Sequence, residues 1–310
     1  MHCRPRIVLS KCINLEAVRY NGGIVSDDFI RKLGTYVDFI PVCPEVSIGM
    51  GIPRPPVILA KGDNNTIRML EPRTFIDYTE NMMQFSKEFL KDLKDVDGFL
   101  FKAKSPSCGV QDCYVYDTDR KKILGRTSGL FAKTAAELFP ELPIEDEARL
   151  RDYWLKYHFL TRIFAFCDLR NNFIEAKTIR EMLHFHTRYK YLLMLYNQKK
   201  LKEMGNLLAN WKHPGLKGVK AAYCILFKKA FQRKPPIRSH YNVMEHMFGH
   251  FSDKLNRAEK IHFRALLQKF SGERVVFTTL LEIFRQFTYR FDDSFLAEQV
   301  YLYPFPVELE

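Results

Sequence analysis

Several motifs that define common enzyme classes are missing from this sequence. It contains no GxxxxGK[ST] phosphate loop, no convincing GxGxxG dinucleotide fingerprint and no GxSxG nucleophile elbow. Nucleotide hydrolysis, nicotinamide redox chemistry and hydrolase triads therefore lose support. There is no HExxH zinc motif either. His246 and His250 are four residues apart, as zinc ligands on one helix can be, but packing or surface roles are favoured for this pair.

The chain also lacks a run of about 18 apolar residues, so we expect no membrane span. Residues 1–6 have neither the apolar core nor the cleavage site of a signal peptide, and we expect a cytoplasmic protein. The seven cysteines are an odd number without the paired spacing of a disulfide scaffold. In a reducing compartment, clustered cysteines more often bind metal or act in catalysis, although seven separate buried thiols are the alternative.

The two halves of the sequence have different secondary-structure patterns. In the first half strand patterns alternate with helix patterns, which indicates βαβ units and a mainly parallel, Rossmann-like sheet. The predicted strands are 6–10, 37–41 and 98–102, with a weak strand or hairpin in 57–70, and the predicted helices are 26–33, 74–93 and 128–139. From Glu145 onward amphipathic helical patterns dominate, at 145–167, 172–197, 214–232, 253–270 and 274–290, with no convincing strand.

The sequence therefore predicts an α/β domain over residues 1–144 and an all-α domain over residues 145–310. The net charge also differs between the two parts of the chain, with the change near the predicted domain boundary. Residues 1–150 hold 21 basic and 21 acidic side chains, whereas residues 151–310 hold the other 27 basic and 15 acidic ones, so the net charge of +12 lies entirely in the second part. A domain this basic favours a polyanionic partner, and a merely soluble basic helical domain is the alternative.

Three cysteines follow three predicted strands. Cys12 comes after the first strand, Cys43 after the second and Cys108 after the third. Because ligands of open α/β sheets bind at the carboxyl ends of the strands, these thiols are expected to meet in one crevice. Three thiolates can hold zinc or an iron–sulfur cluster and leave one coordination position open for chemistry. Cys113, five residues after Cys108, is the candidate for a fourth ligand, and the alternative is a bystander at the start of the segment 114–116.

Polar residues accompany these cysteines. Glu45 is expected at the mouth of the same crevice, where a carboxylate can act as a general base or position a water molecule, while an exposed or helix-capping glutamate is the alternative. Ser105 and Ser107 precede Cys108, and either hydroxyl can relay a proton or act as a nucleophile, while turn formation is the alternative.

Basic residues fall into two groups that are candidates for RNA binding. Lys11, Arg54 and Lys104 flank the strand ends, where they can neutralise phosphates. In the helical half, basic and aromatic residues occur together, and such clusters supply phosphate affinity and stacking surfaces. The candidates there are His186, Arg188, Lys190, Lys212, Lys217 and Lys220.

On these motifs, the first half resembles the thiouracil desulfidase family, formerly the domain of unknown function DUF523. The matching segments are SKC at 10–12, RYNGG at 19–23, CPE at 43–45, GIPRPP at 51–56 and KSPSCG at 104–109. The second half resembles the helical domain DUF1722 that is often fused to it. Its matching segments are FHTRYK at 185–190, HP at 213–214 and QVYLYPFPVEL at 299–309.

The resemblance implies a [4Fe-4S] cluster bound by Cys12, Cys43 and Cys108, with the open iron binding the sulfur of a thiolated base. The family's catalytic acidic and serine positions map onto Glu45 and Ser105, the latter chosen over Ser107. The two-domain form resembles desulfidases that convert 4-thiouridine in tRNA to uridine and release sulfide without redox chemistry, so tRNA is the expected partner.

Two other interpretations remain open. The enzyme can act on free thiouracil or thionucleosides, with the helical domain serving another purpose. Alternatively, the chain is a non-catalytic RNA-binding protein with a structural metal site closed by a fourth ligand such as Cys113.

Overall fold

The computed structural model describes residues 3–62, 66–117, 122–213, 215–270 and 273–310, and of residues 274 and 275 the main chain only. Pro214, at the start of one predicted helical range, and Ser271 and Gly272, between two others, lie outside the described residues.

The described residues form eight strands, which belong to two four-stranded sheets. In chain order they are β1 (Arg6–Ser10), β2 (Asp38–Val42), β3 (Ile58–Lys61), β4 (Ile67–Leu70), β5 (Gly98–Phe101), β6 (Cys113–Tyr116), β7 (Ile123–Thr127) and β8 (Ile144–Asp146). The helices among them are α1 (Asp28–Leu33), α2 (Pro44–Ser47), α3 (Thr79–Lys91) and α4 (Leu130–Leu138).

The first sheet is parallel throughout, in the order β2-β1-β5-β8. Its central strands read as continuous apolar runs, IVLS and GFLF, because both faces of a parallel sheet are covered. In register, Ser10 lies beside Val42 and Leu9 beside Leu100, so β2, β1 and β5 end at one edge. The predicted mainly parallel α/β domain is confirmed.

The second sheet is mixed, in the order β4-β3-β6-β7. The β3–β4 pair is antiparallel, as the weak hairpin pattern at 57–70 predicted. Strand β6 pairs parallel with β3 and antiparallel with β7. The sequence patterns missed β6 and β7, since β7 is exposed over most of its length and lacks the alternation of a half-buried strand.

An aromatic cluster packs helices against the parallel sheet. Phe101 of β5 contacts Phe131 of α4 edge to face at 5.5 Å, and Phe131 stacks on Phe85 of α3 at 6.2 Å. All of Phe99, Phe101 and Phe131 are fully buried. Large buried aromatic side chains contribute much of a core's stability, so this cluster fixes β5 and the start of the loop that follows it.

From residue 153 onward the described part of the chain is helical, as predicted. The helices are α5 (Tyr153–Asp168), α6 (Ile179–Arg188), α7 (Lys190–Tyr196), α8 (Gln198–Ala209), α9 (Gly215–Ala230), α10 (Ile237–Gly249), α11 (Arg257–Lys269), α12 (Arg274–Arg290) and α13 (Ser294–Ala297). A π-helical segment, Leu169–Ile174, follows α5, and short 3-10 helices occupy Arg149–Arg151, Ser252–Lys254 and Val307–Leu309.

The chain divides into two compact units. One comprises Met1–Cys167 together with Glu308–Glu310, and the other comprises Asp168–Val307. The domain limits at residues 144 and 145 stay a prediction.

Several details differ from the sequence patterns. A strand, β8, occupies Ile144–Asp146, where a helical pattern was expected to begin. The pattern at 172–197 forms three segments rather than one helix, and the helices α8 and α10 were not anticipated. Helix α1 is capped by Asp27, whose side chain accepts from the Ile30 N–H, so the helix begins at Asp28 and not at residue 26. Among the described residues, no helix combines the length and apolar character that crossing a membrane requires.

Candidate functional site

The three cysteines that follow β1, β2 and β5 line one cavity. Cys12 lies two residues beyond β1, Cys43 is the N-cap residue of α2 directly after β2, and Cys108 ends the loop after β5. These three strands are neighbours and run parallel, so their carboxyl ends open toward the same space. The cavity has a volume of about 410 Å³, and Glu45 and Ser105 also line it. The structure thus brings together the cysteines and both proposed catalytic residues.

All three thiols lie in surroundings that disfavour the thiolate. Burial, followed by the nearby Cys43 thiol, raises the pKa of Cys12 to about 11. Burial also raises the pKa of Cys43, and it raises that of Cys108 well above the ordinary value, with Cys12, Glu45 and Cys43 adding to the effect. A cationic group placed among them would offset this mutual repulsion and release the thiol protons on binding. Converging soft sulfur donors therefore fit an iron–sulfur cluster.

Within the described ranges, no group of three or more His, Cys, Asp or Glu side chains is placed to hold a metal ion. Ligation by Cys12, Cys43 and Cys108 stays a prediction.

Glu45 is held from two sides. Arg54 donates from Nε and Nη2 to Glu45 Oε2, at 3.0 and 2.5 Å, and both side chains are largely buried, with exposed fractions of 5% for Arg54 and 13% for Glu45. Arg54 in turn donates to the carbonyl oxygens of Val18 and Gly51 at 3.1 Å. The other carboxylate oxygen, Oε1, accepts from Ser107 Oγ at 2.8 Å. Arg54 was predicted to bind RNA, but its contacts fix the carboxylate inside the cavity.

The two serines of the loop occupy different positions. Ser105 lines the cavity, and its Oγ lies 3.5 Å from Glu45 Oε1. The N–H groups of Ser107 and Cys108 donate to Ser105 Oγ, at 3.3 and 3.2 Å, which directs the hydroxyl hydrogen toward the carboxylate. Ser107 is fully buried. The geometry therefore favours Ser105 as the residue that faces a substrate and Ser107 as the residue that positions Glu45.

Cys113, the candidate fourth ligand, lines the cavity at the start of β6. Its thiol donates to the Ser105 carbonyl oxygen at 2.9 Å, and burial raises its pKa to about 12. A Cβ at Gly109 would lie 2.4 Å from Cys113 Sγ, so only glycine permits this approach. The thiol thus holds the Ser105 loop.

The roles of two supporting residues, Ser10 and Glu147, were not predicted from the sequence. Ser10 Oγ accepts from the Lys102 N–H at 3.0 Å, and the Ser10 hydroxyl lowers the pKa of Cys108, against the larger effect of burial. Lys102 Nζ binds Glu147 Oε1 at 2.6 Å, while Glu147 Oε2 accepts from the Ala103 N–H at 2.7 Å. Glu147 lies just beyond β8, a strand that the patterns did not predict. Glu147 could have been predicted only as a carboxylate that follows the end of a fourth parallel strand.

The proposed RNA-binding residues differ in their contacts. Lys11 pairs with Glu16 at 2.7 Å, and Arg188 with Asp168 at 3.7 Å. His186 is half-buried beside the Tyr223 hydroxyl, 3.0 Å away, and burial lowers its pKa to about 4, so it is neutral at pH 7. The side chains with no ion pair among the described residues are Lys104, Lys190, Lys212, Lys217 and Lys220.

Two family models match this chain. Residues 7–147 match 2-thiouracil desulfurase, and residues 190–306 match DUF1722, a protein family of unknown function. Both resemblances drawn from the motifs are therefore confirmed.

Individual relatives are distant. The uncharacterized protein YbbK of Bacillus subtilis (strain 168) is 28% identical over 149 residues, which cover 45% of this chain and 98% of YbbK. The uncharacterized protein YbgA of Escherichia coli (strain K12) is 24% identical over 151 residues, which cover 47% of this chain and 88% of YbgA. Among solved structures, the [4Fe-4S]-dependent thiouracil desulfidase TudS is 22% identical with a TM-score of 0.37, covering 50% of this chain and 98% of that one.

Proposed function

We propose that this chain, which joins a 2-thiouracil desulfurase domain to a DUF1722 domain, is an iron–sulfur desulfidase that converts 4-thiouridine in tRNA to uridine and releases sulfide. The observation that carries the proposal is the convergence of Cys12, Cys43 and Cys108 on the cavity that Glu45 and Ser105 also line. Three soft donors and a positioned carboxylate are the components that replacement of sulfur by oxygen requires.

In this proposal, the three thiolates hold a [4Fe-4S] cluster that supplies a thiophilic Lewis acid for the substrate sulfur. The protein's own groups manage the water and the protons. Glu45, fixed by Arg54 and Ser107, takes a proton from the water molecule that attacks the ring carbon, directly or through the Ser105 hydroxyl. The two N–H groups that donate to Ser105 Oγ stabilise negative charge that develops on this oxygen.

The reaction balances without electrons. Water adds its oxygen to the ring carbon, the carbon–sulfur bond breaks, and the two protons of water leave with the sulfur as hydrogen sulfide or its anion. No reductant or oxidant is consumed, which makes the reaction a hydrolysis.

The basic second half supports a tRNA substrate. A free base carries no phosphate for 27 basic side chains to bind, whereas backbone contacts supply much of the affinity of proteins for nucleic acids. Exposed lysines such as Lys212 and Lys217 suit this role. The thiolated base would have to leave its stack to enter a cavity at the end of the sheet.

A second candidate substrate is free thiouracil, which the description of the matched family favours. Anaerobically reconstituted protein, incubated with thiolated tRNA, 4-thiouridine and 4-thiouracil, distinguishes the two by mass analysis of the products. We expect sulfide release and uridine formation with the highest kcat/KM on tRNA. Unchanged 4-thiouridine in tRNA beside rapid turnover of the free base would reject the tRNA proposal.

The role of Glu45 has its own test. Glu45→Gln keeps the size of the side chain and its contact with Arg54 but removes the base, so kcat should fall by about 10²- to 10⁴-fold while iron content is unchanged. The matched control is Glu16→Gln, which alters an exposed carboxylate paired with Lys11. Full activity of Glu45→Gln would exclude a general base at this position.

A further inference from the structure

One cation on the lining of the cavity has no part in the reaction proposed above. Lys102 lines the cavity directly after β5, and its side chain is only 21% exposed. Its main-chain N–H donates at 3.0 Å to the Oγ of Ser10, the last residue of β1. Because β1 and β5 are neighbours in the parallel sheet, Lys102 lies where the strands that lead to Cys12 and Cys108 end side by side.

The charge of Lys102 reaches the cysteines, whereas the other buried cation of the cavity serves the carboxylate. Burial and the Cys43 thiol raise the pKa of Cys12 to about 11, and the positive charge of Lys102 opposes this rise. Arg54 is instead bound to Glu45, the group that handles the attacking water. The reaction therefore has protein groups for the water and as yet none for the sulfur that leaves.

Glu147 and the main chain hold the Lys102 ammonium group. Lys102 Nζ donates to Glu147 Oε1 at 2.6 Å and to the Ala103 carbonyl oxygen at 2.8 Å. Glu147 Oε2 accepts from the Ala103 N–H at 2.7 Å, and the Glu147 side chain is only 7% exposed. An ammonium group has three N–H donors, and within the described part of the chain two of them have acceptors. The third is available to a group inside the cavity.

Stability alone does not account for a buried ion pair on this lining. Taking two charges out of water costs about as much free energy as their attraction returns, and apolar residues of similar size often stabilise a fold as well or better. A fixed cation with a donor to spare is, however, the arrangement that stabilises charge developing in a transition state. When the carbon–sulfur bond breaks, negative charge collects on the sulfur.

We propose that Lys102 is a further catalytic residue, whose ammonium group donates a hydrogen bond to the departing sulfur, and that Glu147 is a positioning residue that holds this group in place. The proton stays on the lysine nitrogen, so the balance of the reaction is unchanged. The proposal rests on the proposed function for the reaction itself and adds the protein group that serves its leaving atom.

The first test needs no turnover. The reduction potential of an iron–sulfur cluster depends on the charge and the hydrogen bonds around it. In anaerobically reconstituted protein, Lys102→Gln should lower the potential because a positive charge is lost, and Glu147→Gln should raise it because a negative charge is lost. The double variant should return close to the unmodified value. Shifts of the same sign in both single variants, or no shift in either, would overturn the proposal.

The second test concerns the leaving atom. Lys102→Gln should lower kcat for 4-thiouridine by about 10²-fold and change KM little, because the interaction forms as charge develops on the sulfur. The loss should be smaller for 4-selenouridine, since hydroselenide is a weaker base than hydrosulfide and needs less stabilisation. Lys102→Arg, which keeps the charge, should recover part of the activity. Equal losses for the sulfur and selenium substrates would reject a role at the leaving atom.

Two further variants separate catalysis from folding. Lys133→Gln removes an exposed lysine of α4 that does not line the cavity, and it should change neither the potential nor kcat. The double variant of Lys102 and Glu147 leaves no single charge buried, so it keeps the test open if Lys102→Gln does not fold. Its kcat should stay low although its potential is restored. Recovery of full activity in the double variant would show that the pair is structural.

The two tests also separate this proposal from the proposed function. Sulfide release by the unmodified protein, with equal sulfur and selenium losses in Lys102→Gln, would reject the role of Lys102 and leave the desulfidase standing. Absence of sulfide release from every thiolated compound would reject the desulfidase and the catalytic role together. Opposite shifts of the potential would in that case still place the Lys102–Glu147 pair beside the cluster.

Discussion

Two sets of charged side chains, one around the cavity and one in the helical unit, differ in burial and in pairing. Around the cavity, the Glu45–Arg54 and Lys102–Glu147 pairs are largely buried, and each member makes further hydrogen bonds. In the helical unit, Lys212 and Lys217 are exposed and have no ion pair among the described residues. The first arrangement fixes a few atoms at the cost of desolvation, whereas the second leaves its charge available to a partner.

The difference separates two tasks. Buried, hydrogen-bonded pairs lose little when salt is added, because solvent ions do not reach them, and they set positions to within a hydrogen bond. Exposed cations set no positions but attract polyanions, and salt screens them strongly. If this division is correct, substitutions of the buried pairs around the cavity should change the chemistry at constant RNA affinity. Substitutions of the exposed lysines of the helical unit should change RNA affinity at constant chemistry.

The largest effect is expected at the cysteines. Cys43→Ser removes one thiolate from the cavity and should abolish both the brown colour of the anaerobically reconstituted protein and sulfide release. Cys224→Ser, a half-buried thiol of α9 that does not line the cavity, is the matched control and should keep both. Visible absorption and iron content measure the outcome. A colourless protein that still releases sulfide would contradict the cluster.

A smaller effect separates the two serines. Ser105→Ala removes the hydroxyl that faces the cavity and should lower kcat by about 10²-fold or more. Ser107→Ala removes one hydrogen bond to Glu45 and should lower kcat less, while destabilising the fold by about 1–3 kcal/mol because a buried acceptor is left without its donor. Steady-state sulfide release and urea unfolding distinguish them. The reverse order of kcat values would assign the catalytic serine to position 107.

These serines also show how much of the site can be predicted from the sequence. The motif KSPSCG identifies Ser105, Ser107 and Cys108 as a unit, and strand patterns predict that Cys12, Cys43 and Cys108 meet, since parallel strands end at one edge. The role of Ser107 could not be predicted from the sequence, because it depends on side-chain directions within one loop. Arg54 and Glu147 are similar cases. Their partners are 9 and 45 residues away in sequence, and pattern analysis does not pair distant charges.

Local sequence patterns did not predict the two strands whose formation depends on tertiary contacts. Strand β8 has only three residues and belongs to the sheet because β5 offers it a free edge. Strand β7 is exposed and exists through its pairing with β6. Neither has the periodicity on which a prediction from sequence depends.

A moderate effect is expected on RNA affinity. Changing Lys212, Lys217 and Lys220 together to glutamine should weaken tRNA binding by about tenfold or more. The log–log slope of affinity against salt should fall by about one unit for each phosphate that the variant no longer binds. Turnover of 4-thiouracil should not change. The control changes Lys87, Lys91 and Lys94 of the first unit to glutamine, which removes equal charge from exposed positions. Equal reductions of affinity in both triple variants would show that only net charge matters.

The smallest effect concerns stability in the helical unit. Burial lowers the pKa of His186 from 6.5 to about 4. The unfolded chain therefore takes up a proton below about pH 6.5 that the folded chain refuses until about pH 4, and stability is lost as the pH falls through this window. His186→Gln should reduce the loss between pH 7 and pH 5 by about 1–2 kcal/mol in urea unfolding. The control, His246→Gln, alters an exposed histidine. An unchanged pH dependence in His186→Gln would refute the account.

The most direct measurement is anomalous diffraction at the iron edge from crystals of the reconstituted protein, grown without oxygen. The account predicts iron in the cavity that Cys12, Cys43 and Cys108 line, with their sulfur atoms as ligands and one iron free of protein donors. Iron bound elsewhere, or a fourth protein ligand such as Cys113 on that iron, would contradict it.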